Sequence, residues 1–169
     1  MAVSSDIVAT WRRPRQVMRK LLSMGRREDR ALAILIAACL LIFVAQWPRL
    51  SREAFMAPEG AAPLDARLAI TFFAMMMVWP ILAYALAAVT HILARIAGGR
   101  GTWYSARLAL FWSLLATSPA WLLHGLVAGF IGPGPAEQVV GALLLLGFLA
   151  IWGISLREAE REPEAQVPA

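Results

Sequence analysis

"LAITFFAMMMVWPILAYALAAVTHILARIA", Leu68 to Ala97, decides the fold. The only arginine, lysine, aspartate or glutamate in this run is Arg95, close to its end. Wound as an α-helix at about 1.5 Å per residue it outreaches a hydrocarbon layer of about 30 Å. Apolar and polar residues do not alternate, so it is not a strand of a membrane barrel, and the backbone has to satisfy its own hydrogen bonds as a helix. Pro80, near the middle, predicts one long helix that absorbs its excess length by a kink and a tilt. Two short re-entrant pieces are the alternative.

Three further blocks share this character: Ala31 to Trp47, Leu108 to Ile131 and Val139 to Leu156. Hydrophobic residues fill 60% of the 169 positions, and the mean hydropathy is +0.64. That share is above the roughly 45–50% of an ordinary globular chain, and its division into four blocks argues for crossings rather than one core. The first block follows about thirty arginine-rich residues and ends in Trp-Pro, so it does not read as a cleaved signal peptide. The expected fold is an all-α membrane protein, a four-transmembrane-helix bundle with spans at about 31–47, 68–97, 108–131 and 139–156.

The net charge of +5 is an orientation signal rather than a nucleic-acid footprint, because of where the cations stand. Arg12, Arg13, Arg15, Arg19, Lys20, Arg26, Arg27 and Arg30 all precede the first span, and Arg95, Arg100 and Arg107 flank the second turn. By contrast, the loop after the first span balances its arginines with Glu53, Glu59 and Asp65, and the turn at 132–138 has no cation. The positive-inside rule then puts both termini in the cytoplasm of a multi-pass protein. Lys20 is the sole lysine and asparagine is absent, a bias that points to a GC-rich bacterial source and hence to an inner membrane. Cys39 is the only cysteine, so no internal disulfide forms.

Residues 1–30 form a basic amphipathic segment. Pro14 interrupts it, and Val17, Met18, Leu21 and Leu22 then make an apolar stripe opposite Arg15, Arg19 and Lys20. Charge and stripe together beside a span predict an interfacial helix, with Arg12, Arg13, Arg15, Arg19 and Lys20 on anionic lipid headgroups. A short helix packed on the bundle is the competing reading. At the other end, residues 157–169 alternate arginine and glutamate and predict a disordered charged tail.

Chemistry-bearing residues are few. Both histidines fall in spans: His91 shares a helical face with Ala83, Ala87 and Ala94, and His124 one with Ser113, Thr117 and Ala120. They sit too far apart in depth to share an ion, and an interhelical hydrogen-bonding stripe of Ser113, Thr117 and His124 is the expected use of the second. Gly125 and Gly129 form a GxxxG pattern for close helix packing, within the chain first and in a homodimer second. No nucleophile elbow, zinc spacing or phosphate loop occurs, so no enzyme activity, metal or cofactor is expected.

The stretch Gly98 to Pro119, with its glycines, short turn and Ser118-Pro119 inside the next span, resembles the Yip domain family of polytopic membrane proteins. "RRPRQVMRKLL", "GRREDRALA" and "HGLVAGFIGPGP" are similar to its bacterial, in particular alphaproteobacterial, members, and the likeness covers about residues 8–156. It implies a multi-pass membrane protein, and it carries over no catalytic residues, since none are established for the family. Eukaryotic members act in Golgi and endoplasmic reticulum with Rab-type GTPases, a partner that a bacterial chain does not inherit. The chain departs from the family in showing four spans where five are usual, and in lacking the long N-terminal extension. The resulting expectation is a non-enzymatic interaction or organising module of the membrane. A small transporter or channel lined by the third span, or an accessory subunit of a larger membrane complex, is the alternative, with other membrane proteins as partners.

In the turn itself, Gly98 and Gly99 are expected to end the second span in left-handed dihedrals, with Trp103 and Tyr104 anchored among headgroups. Pro119 removes one helix hydrogen bond, opening a carbonyl to Ser113, Thr117, Ser118 or another helix.

Overall fold

A computed structural model of the chain describes residues 3–161, and among these all regular structure is helical. In chain order the elements are α1 (Val3–Arg12), α2 (Pro14–Ser23), α3 (Glu28–Phe55), α4 (Leu64–Phe73), a π-helical turn (Ala74–Val78), α5 (Trp79–Ile96), α6 (Trp103–Ala116), α7 (Ser118–Phe130) and α8 (Pro135–Ala159). Three continuous helices are long and apolar enough to cross a membrane: α3, the run Leu64–Ile96, and α8. A fourth crossing exists if α6 and α7, bent by 44°, count as one broken span.

The long opening stretch is one helix, with a single irregular turn. Pro80 has no N–H to donate and its ring crowds the preceding turn, so the chain widens to a π turn just ahead of it. The other spans correct the expected limits. The first runs on to Phe55 through Pro48 instead of stopping at Trp47, shortening the following loop to residues 56–63. The fourth starts at Pro135, a proline in the first turn where its missing N–H costs nothing, and ends at Ala159.

The third span is not the single helix expected over 108–131. Pro119 breaks it at Thr117, and the N–H groups of Ala120 and Trp121 both turn back to the Thr117 carbonyl. The Ala116 carbonyl, left without its usual helical partner, accepts the indole N–H of Trp11 at 2.9 Å. The helix that closes the break is α1, from the other end of the sequence.

Eleven of the fourteen residues of α6 are buried, so it is the central post of the bundle, apolar on all sides as such a helix has to be. Around it stand α1, α3, α5 and α8, while α7 packs on α3 and α8. We call "base" the end where α3 begins and α5 and α8 finish, joined by the Arg107–Glu28 pair at 2.7 Å and by His91–Glu160 at 2.8 Å. The opposite end is the "crown", where Arg52 of α3 donates to the carbonyls of Gly129 and Phe130 and so caps α7.

The N-terminal segment supplies the second correction. Its stripe of Val17, Met18 and Leu21 is buried in the same core cluster as α3 and α6, so it meets protein and not lipid. Helix α2 packs on α8 and α1 on α6, where Trp112 donates to Thr10 at 3.0 Å. Trp11 lies against Gly147, eleven residues up α8 from Glu158. That is about 16 Å along the helix axis, so the pair of helices flanks the base half of the bundle instead of lying across its end.

Candidate functional site

Five cations were expected on lipid headgroups, and the fold sorts them into two groups. Lys20 reaches both carboxylate oxygens of Asp6 at 2.7 Å, clasping α1 to α2. Arg19 pairs with Glu158 on α8, a carboxylate that also takes Arg161 at 3.3 Å. These two are structural. Arg12, Arg13 and Arg15 surround the α1–α2 break, all exposed, and among the described residues none has a carboxylate partner. Nearby, Arg30 ties the start of α3 to the Leu21 and Gly25 carbonyls and to the Tyr104 hydroxyl. The Arg27 guanidinium is held above its ordinary pKa by its hydrogen bond to Asp29.

The base carries a buried polar knot. His91 Nδ1 meets Glu160 Oε1 at 2.8 Å, with both side chains under a tenth exposed. The second Glu160 oxygen accepts the Gly101 N–H at 3.0 Å, and the Glu160 carbonyl accepts the Arg100 N–H at 2.9 Å. Gly98 alone takes the left-handed dihedral expected of the pair. Gly99 and Gly101 serve by having no side chain: a Cβ on either would lie 2.8 Å from Glu160 Oε2. The ring of Trp103 stands 4.6 Å from that of His91, while Tyr104 is buried under Arg30 and does not anchor among headgroups.

Glu158 and Glu160 therefore belong to the fold, where a frayed tail was expected from residue 157; residues 162–169 lie outside the described part. The signal that would have found Glu158 is its spacing. Leu144, Ile151 and Glu158 are seven apart on the buried face of α8, where Ser155 also lies.

Gly125 and Gly129 face α3. A Cβ on Gly125 would collide with the Ala45 carbonyl oxygen, and one on Gly129 with the Pro48 ring. Backbone approach this close brings Cα–H groups against carbonyl oxygen, the contact small residues permit in membrane helices. Ser113 and Thr117 are fully buried, and their hydroxyls bond to carbonyls of their own helix, those of Ala109 at 2.7 Å and Ser113 at 2.9 Å. Neither borders the cleft at His124, and with both hydroxyls spent on their own helix the expected hydrogen-bonding stripe with His124 does not form.

His124 instead borders a cleft of about 540 Å³ between α5 and α8, floored by α6 and closed at one end by α7. Its imidazole sits against Gly141, where a Cβ would come within 3.2 Å of Nε2. Among the described residues no group of three His, Cys, Asp or Glu side chains gathers as metal ligands would. No family model, no curated protein and no solved structure matches this chain.

Proposed function

We propose that this chain is a non-enzymatic integral membrane protein that acts as an interaction module of the bilayer, holding anionic lipid headgroups through Arg12, Arg13 and Arg15. The bacterial inner membrane, cytoplasmic termini and a Yip-like organisation belong to the same reading. One observation carries it: the fold consumes Arg19 and Lys20 in internal ion pairs yet leaves three adjacent arginines exposed and without carboxylates. Unlike a free peptide, the α1–α2 break is fixed to the bundle by the Trp11 and Thr10 hydrogen bonds, so its cations are presented at one place on the flank of the bundle. Long arginine side chains extend from such a flank toward the phosphate layer.

Each cation near an anionic surface contributes about 1 kcal/mol, so the three together favour an anionic over a zwitterionic lipid by about 3 kcal/mol at low salt. The test is native mass spectrometry of the full chain extracted in mild detergent and supplied with phosphatidylglycerol and phosphatidylcholine in equal amounts. Wild type should retain the anionic lipid, and the triple variant R12Q/R13Q/R15Q should lose that preference while melting at an unchanged temperature. Equal retention by both proteins would sink the proposal.

A further inference from the structure

The cleft between α5 and α8 is lined almost wholly by carbon, with Leu82, Leu86 and Leu145 on its rim exposed to the surroundings of the bundle. Its volume lies within the range of small-molecule sites. Against this background His124 stands out, because among the described residues neither ring nitrogen has a hydrogen-bond partner. The neighbouring Trp121, its ring edge-on to the imidazole at 6.5 Å, has a buried indole N–H that also lacks an acceptor. A neutral imidazole carries one N–H. This corner of the bundle is thus short of acceptors, and hydrocarbon supplies none.

Depth limits what can bring one. His124 sits at Gly141, six residues into α8 from Pro135, so about 9 Å along the helix from its crown end. The ester oxygens of a phospholipid come with a charged head that holds them at the interface and that a carbon-lined cleft does not accommodate. A neutral lipid with a compact head sinks further. Trp79, Trp121 and Phe148 are in the lining, aromatic side chains of the kind that pack against a planar ring.

We infer that this cleft binds a neutral, single-tailed lipid with a carbonyl-bearing ring as its head, the chemistry of a membrane quinone. The head carbonyl accepts the His124 N–H, and the tail runs along the leucines of α5 and α8. Binding alone is inferred, and no electron or proton transfer is part of it.

The experiment uses the full chain in nanodiscs, equilibrated with a decyl-tailed benzoquinone or with decylbenzene, which has the same tail and no acceptor. Bound ligand is quantified after extraction, against empty discs. Saturable binding of one quinone per protein is expected, with decylbenzene bound less tightly. His124→Leu should weaken quinone binding about 3- to 20-fold, the range of one interhelical-type hydrogen bond in a membrane, and leave decylbenzene unchanged. His124→Gln, which keeps a donor, should restore much of the loss, and Leu82→Trp at the exposed rim should reduce both ligands by filling the groove. The inference is overturned if quinone partitions only into lipid, if His124→Leu binds it like wild type, if decylbenzene binds equally well, or if cross-linking through Leu145→Cys shows a second copy seated in the cleft.

Discussion

Gly125→Ala is the sharpest test of how α7 is held. The new Cβ would land on main-chain atoms of Ala45, within 2.7 Å of its carbonyl carbon as well as against the oxygen, where ordinary contact is 3.4–4 Å. Those atoms lie inside α3 and have no rotamer by which to escape. The helices have to part by about 1 Å, enough to forfeit a quarter to a half of the dispersion energy of each atom pair at the crossing. Overpacking of this kind costs about 1–3 kcal/mol, and loss of the Cα–H···O approach adds about 0.5–1 kcal/mol. For a chain of 169 residues, a loss of about 2–4 kcal/mol lowers the melting temperature by about 5–15 °C. Gly153→Ala is the control, since its Cβ meets nothing within 4 Å and alanine is the better helix former. Thermal unfolding of both in one detergent decides the matter. If Gly125→Ala melts within a degree of wild type, or no lower than Gly153→Ala, the close α3–α7 crossing is wrong.

Three further outcomes follow from named contacts. Glu160→Ala strips the buried His91 ring and the Gly101 N–H of their acceptor, and should destabilise by about 2–4 kcal/mol, whereas Glu160→Gln should recover part of that in the same melting assay. Thr10→Val leaves the buried Trp112 N–H unpaired and should loosen α1; trypsin cleavage after Arg12 in intact detergent-solubilised protein should then accelerate severalfold, and an unchanged rate would place α1 elsewhere. Arg19→Gln should cost under about 1 kcal/mol by chemical denaturation, because Arg19 is 59% exposed and Arg161 stays on Glu158.

Length and hydropathy alone made the all-helical, membrane-spanning character legible, since a run like Leu68–Ala97 has few other ways to satisfy its backbone in lipid. Glycine spacing was legible too: Gly125 and Gly129 announce a close approach whatever partner they find. The helix limits were not. Pro48 continues a helix that it would be expected to end, while Pro119 breaks one that hydropathy draws as continuous. The difference lies in packing, for α7 lies along the Pro48 turn whereas Trp11 fills the gap opened at Ala116.

The candidate sites divide in the same way. Composition identified the arginines of residues 12–20 as a group, but only tertiary contacts separate Arg19 and Lys20, which are paired, from Arg12, Arg13 and Arg15. The stripe on α2 reads the same from sequence whether it meets lipid or a helix, because both are apolar, and it took the position of α8 to choose. Glu158 and Glu160 looked like a solvated tail since charge dominates their neighbourhood, yet burial against His91, Arg19 and the 98–101 turn is a long-range fact. Local pattern settles which segments are apolar enough to enter a membrane, a matter of each residue's own solvation. Which polar groups are spent on one another depends on the partners that distant segments bring.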